Sequence, residues 1–189
     1  MNLQYKFKQA TRLINELRPE EYSTLKNICK EIQGAENKLR ISAEDLLQRC
    51  YTACEGLCCR NLDLDAIISK EDFVYLLTNA DELRDTIVDC LQNEVAFFTF
   101  DCIFLENGIG PCIFPADVRP LTCLVTFCDD ETSVKKEIAQ VKKKFLTLYW
   151  FIFFWRIRAV KKIFFGSLNK NVSRDKDHAE ITDYPDGPK

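Results

Sequence analysis

Apolar residues recur at steps of four and three from the start of the chain, at Leu3, Phe7, Ala10, Ile14 and Leu17. That rhythm places them on one stripe of a helix. Pro19 suits the first turn of a second helix, where its fixed φ fits and its missing N–H removes nothing needed. Tyr22, Leu25, Ile28, Cys29 and Ile32 then face inward. Five stripe positions are too few for a coiled coil, so residues 1–33 predict a packed helical hairpin. Ser42-Ala43-Glu44-Asp45 has the form of a capping box, with Ser42 as N-cap of a helix carrying Leu46, Leu47 and Cys50. Ser69-Lys70-Glu71-Asp72 repeats the device ahead of Val74 and Leu77, and Asp81 starts a further helix through Leu83, Ile87, Val88 and Leu91.

The rhythm changes at residues 95–100, VAFFTF, which are strand formers. Glu106-Asn107-Gly108-Ile109-Gly110 supplies turn chemistry, and Cys112-Ile113-Phe114 returns as a partner strand. Pro115 and Pro120 make residues 116–121 an ordered loop. The pattern as a whole predicts a mainly α fold with a small β-hairpin element and a cysteine-rich core packed between helices.

Residues 145–155, FLTLYWFIFFW, form the densest apolar run, and seven of the eleven are aromatic. A membrane-spanning helix needs about 20 apolar residues, and this run stops at Arg156. Three readings fit the 145–165 helix. It is buried and seals the cysteine-rich core, which is the favoured one; it lies in a membrane interface as a peripheral contact, aromatic side in; or it is the surface for a partner protein. From Gly166 the chain is polar and aperiodic, so 166–189 is expected to be a disordered tail. The organisation expected is one domain over 1–165. It comprises the hairpin 1–33, a cysteine-cluster core 42–128 and a long aromatic and basic helix 131–165.

Eight of the ten cysteines fall into two groups: Cys50, Cys54, Cys58 and Cys59, then Cys102, Cys112, Cys123 and Cys128. Thiolates select zinc, copper(I) or iron–sulfur clusters, and this density makes metal binding the leading reading. A disulfide framework and inert buried thiols are the alternatives. Cys29 and Cys90 lie within helical apolar patterns and read as small core residues. On a helix Cys50, Cys54 and Cys58 share a face at successive i+4 steps. Adjacent Cys58 and Cys59 cannot point the same way on a helix or a strand, so one of them either serves a second metal centre or needs a distorted backbone, and bridging to the second group is the preferred arrangement.

Over about residues 50–128 the chain resembles the zinc- or iron-chelating eight-cysteine family, the cysteine-cluster proteins of bacteria and archaea. The residues that carry the resemblance are the first group ending in Cys58-Cys59, then Cys102-Ile103-Phe104-Leu105. Gly110-Pro111-Cys112-Ile113-Phe114, Arg119-Pro120-Leu121-Thr122-Cys123 and Cys128 complete it. Leu124 follows Cys123 where the family carries Arg, and Phe114 stands where it usually carries Tyr. The resemblance implies metal chelation by the eight cysteines.

Charge sharpens this picture. Residues 135–162 hold nine Lys or Arg (135, 136, 142, 143, 144, 156, 158, 161, 162) against Glu137, a net +8 in a chain of net −3, so the remainder carries −11. An acidic body with a basic arm lacks the continuous basic face of a nucleic-acid binder. The start MNLQYKFKQATRLINELRPEE has no apolar run with a small-residue cleavage site, which reads as cytoplasmic.

Catalytic chemistry finds little support. His178 is the one histidine and lies in the expected tail, so Ser-His-Asp and Cys-His systems lack their base and mixed Cys/His zinc sites lack a ligand. No phosphate-binding glycine loop is present. Asp63, Asp65, Glu71 and Asp72 read as caps and a solvated face. A binding role is therefore expected over an enzymatic one. Iron–sulfur cluster(s) on the eight cysteines, serving electron transfer or cluster-dependent chemistry, are slightly favoured. The alternative is a zinc-stabilised module that presents the basic aromatic helix to a partner protein or membrane surface.

Overall fold

The computed structural model describes residues 2–46, 62–93, 102–106, 112–126 and 131–174, with side chains in the last helix up to Arg158 and at Val160. The chain divides into two units, residues 1–149 and 150–189. The described residues are mainly helical and contain no β-strand. In chain order they form α1 (Leu3–Glu16), α2 (Pro19–Ser42), α3 (Leu64–Ile67) and α4 (Lys70–Asn79). A 3-10 turn (Asp81–Leu83) leads into α5 (Arg84–Gln92), followed by α6 (Leu121–Val125), a second 3-10 turn (Glu131–Val134) and α7 (Lys135–Arg174).

α1 starts where Asn2 Oδ1 accepts from the Tyr5 amide at 3.0 Å. Its buried stripe is Leu3, Phe7, Ala10 and Leu13, with Ile14 and Leu17 only half-covered. Pro19 opens α2 as expected, and Leu25, Cys29, Ile32, Ala35 and Leu39 are buried along it. The helix does not stop near residue 33 but continues to Ser42. Ala35 and Leu39 extend the apolar stripe, and the lone Gly34 costs about 1 kcal/mol, too little to end it. Ser42 is therefore the last residue of α2 and not the N-cap of a new helix. Ala43 closes the turn by donating its N–H to Leu39 O at 2.8 Å. Helical turns resume at 44–46, and Leu47 and Cys50 lie outside the described residues.

α4 is the centre of the first unit. Ser69 caps it as predicted: its Oγ accepts from the Asp72 amide at 3.1 Å, and Asp72 Oδ2 accepts from the Ser69 amide at 2.8 Å. Every residue from Asp72 to Thr78 is buried. α1 and α2 pack against it. Phe73 meets Phe7 edge-on at 5.5 Å between ring centroids and Phe104 at 6.5 Å, while Tyr75 meets Phe145 at 5.1 Å. The buried Lys6 spans the gap to α3, donating through Nζ to Asp65 O at 2.5 Å and Ile68 O at 2.7 Å. Asp81 begins the 3-10 turn that runs into α5, whose Ile87 and Leu91 are buried.

α7 buries Ile138, Val141, Phe145 and Leu148 at steps of three and four, continuing from Val134. The expected burial of the aromatic run holds for Phe145, Leu148 and Ile152 but not for Leu146, Trp150, Phe153 and Phe154, each at least half exposed. The helix also passes Gly166, where the tail was expected to begin, and runs to Arg174. One glycine between helix-compatible neighbours is again too weak a break. The boundary between the units falls inside this helix, between Tyr149 and Trp150, rather than at residue 165. No helix among the described residues is long and apolar enough to cross a membrane.

Candidate functional site

Three cysteines of the second group, Cys102, Cys112 and Cys123, lie between residue 102 and the end of α6. Leu105 donates its amide to Cys102 O at 3.1 Å, turning the chain. Leu105 and Cys112 form one antiparallel bridge, and Ile113 donates to Phe104 O at 2.9 Å. This pairing flanks the turn that the sequence predicts. It amounts to a single bridge and not a hairpin among the described residues, and the expected partner strand at 95–100 lies outside them. Phe104 and Phe114 are both buried, with ring centroids 4.8 Å apart, and Phe104 continues onto Phe73 of α4. The pair thus roots the segment in the core.

Residues 115–121 are fastened by two buried carboxylates from different helices. Glu36 of α2 accepts the Arg119 amide on Oε1 at 2.8 Å and the Tyr75 hydroxyl on Oε2. Asp72 of α4 accepts the Leu121 amide on Oδ1 at 2.8 Å. Pro120 between them has no N–H to satisfy. Gln33 adds an outer tie, donating to Asp117 Oδ2 at 3.0 Å, and Thr122 Oγ1 donates to Ile67 O at 3.3 Å. α6 begins directly after Pro120 and carries Cys123 into solvent. The Arg119 Nε is buried with no hydrogen-bond partner among the described residues.

Burial sets the electrostatics. It pushes the Glu36 carboxyl up to about 8, with the Tyr75 hydroxyl and the Arg119 amide opposing the shift and Asp117 adding to it. Asp72 is raised for the same reason, against its bonds to Ser69 and Leu121. Burial also raises Tyr75, and the facing Glu36 adds to this. The Cys29 thiol is pushed up to about 12 by burial, and Cys90 is raised by burial and by Asp89. In both, burial favours the neutral thiol over the thiolate. Cys29 is fully buried as expected, whereas Cys90 is only half-buried.

Of the eight cysteines singled out by pattern, Cys102 is buried, Cys112 half-buried and Cys123 exposed. Cys50, Cys54, Cys58, Cys59 and Cys128 lie outside the described residues. Among the described residues no three His, Cys, Asp or Glu side chains gather closely enough to hold a metal ion. Asp63 is an exposed cap, accepting from the Ala66 amide at 3.2 Å, but Asp72 is buried and not part of a solvated face. Glu36 escapes a search for motifs, although its position between Ala35 and Leu39 marks a carboxylate on a core stripe. No family model, curated protein or solved structure matches the chain.

Proposed function

We propose that this chain is a metal-binding protein whose eight grouped cysteines hold iron–sulfur cluster(s), with electron transfer or support of cluster-dependent chemistry as its role. The observation that carries the reading is the double fastening of residues 115–121 between Cys112 and Cys123. Two carboxylates are drawn into the core, at the desolvation cost that raises Glu36, and each accepts a backbone amide of this one segment. Outer contacts of that kind hold ligand-bearing loops in register at metal sites. The donor chemistry supports it too: the sequence of both groups carries cysteines and no histidine, a set that suits clusters or closed zinc sites. A second reading, a zinc-stabilised module that presents α7 to a partner, draws on the exposed aromatic residues from Trp150 onward.

Anaerobic purification followed by absorption and elemental analysis separates these. Broad absorbance near ~400 nm with iron and acid-labile sulfide is the expected result. A colourless protein with stoichiometric zinc moves the conclusion to the second reading, and a metal-free protein sinks both. Cys112→Ser should lower metal content and thermal stability together, because metal-binding free energy in such sites is folding free energy.

A further inference from the structure

The second unit carries a feature that metal binding does not use. Trp150, Phe153, Phe154, Ile157 and Val160 are all exposed, between 37% and 53%. At about 100° per residue they occupy one face of α7 roughly 120° wide, opposite the buried Ile152. The three rings pack on one another, with centroids 5.7 Å apart for Trp150–Phe153 and 5.6 Å for both Trp150–Phe154 and Phe153–Phe154. They form a preassembled aromatic plate. Arg156 and Arg158 are exposed and fall about 40° beyond its two edges. Residues 150–174 contain Arg156, Arg158, Lys161, Lys162, Lys170 and Arg174 and no Asp or Glu.

We propose that this face docks flat on an anionic lipid surface, with the aromatic plate in the headgroup and acyl boundary and the two arginines at phosphate level. Aromatic rings favour that boundary, and long cationic side chains reach from the edge of a buried stripe to the polar layer. The helix lies on the bilayer and does not span it, consistent with its charge. A second copy pairing through this same face is a poorer occupant. It would bring like-charged arginines around the same patch, with no acidic residue in 150–174 to meet them. The proposal stands apart from the metal reading and survives its failure.

The test uses the full chain with vesicles of phosphatidylcholine, alone or with phosphatidylserine. Trp155→Phe leaves Trp150 as the only tryptophan. Its emission should shift to the blue, and the protein should sediment with phosphatidylserine vesicles and not with phosphatidylcholine alone. Phe153→Ser with Phe154→Ser should abolish sedimentation while leaving the circular dichroism spectrum unchanged. Arg156→Gln with Arg158→Gln should weaken binding about 30-fold, each cation near an anionic surface contributing about five-fold. Four results overturn the proposal: absence of vesicle binding, equal binding to both vesicle types, binding indifferent to the phenylalanine changes, or a dimer in solution that those changes dissolve.

Discussion

α4 and the stretch of α7 from Trp150 are both apolar around most of their circumference, yet they end in opposite surroundings. In α4 every side chain from Asp72 to Thr78 is buried. In α7 the face of Trp150, Phe153, Phe154, Ile157 and Val160 is open. The difference is in their neighbours and not in composition. α4 has α1 and α2 packed on it and receives Phe104 and Phe145 as well, whereas the three rings of the α7 plate pack on one another and stay half-exposed. Hydrophobicity therefore says that a helix wants cover, and only the fold says whether it finds any.

Substitutions at matched positions bring out that contrast. Phe73→Ala should remove the hub between Phe7 and Phe104 and destabilise the protein by about 4 kcal/mol in denaturant unfolding. A cost below about 1 kcal/mol would mean that α4 is not the centre of the core.

The buried carboxylate against α4 gives a smaller effect with a definite sign. Glu36 binds its proton more tightly folded, at about 8, than unfolded, at 4.5. Between those values the native state holds more protons, so stability must fall as pH rises. The Glu36 contribution is complete below the unfolded value and is lost as pH rises through about 8. From pH 5 to pH 7 the loss should be about 2.5 kcal/mol. Glu36→Gln keeps an acceptor for Arg119 and should flatten that slope, as read from urea midpoints across pH. An unchanged slope would place the titration elsewhere.

On α7, Phe153→Ser should change stability in the absence of vesicles by less than about 0.5 kcal/mol, the range of ordinary surface substitutions. A loss as large as that of Phe73→Ala would show that the plate is covered in the free protein and erase the contrast.

Local chemistry was legible where it acts alone. Pro19, the Ser69–Asp72 box and the turn at Asp81 mark helix starts in the sequence and in the structure. Signals that compete with a continuing helix misled. Ser42 has the form of a cap, but the stripe through Ala35 and Leu39 carries α2 over it, and α7 runs past Gly166 because one glycine is too weak a break. The site was readable as residue types and spacing. Its support was not, because Glu36 and Asp72 become neighbours of one loop only through the packing of α2 and α4, with hydrogen bonds that span 83 and 49 residues. Both faces of α7 looked alike as a string, and three dimensions alone separate Phe145 and Leu148 from Leu146.

The central place of α4 also orders the events of synthesis. α1 and α2 are made before α4, and the helix that covers their stripes ends at Asn79. At about 5–20 residues per second the ribosome needs a few seconds to supply it after α2 is complete. In that interval the N-terminal pair has amphipathic faces with nothing to close on, and the thiol of Cys29 that the finished core hides is open to oxidants and chaperones.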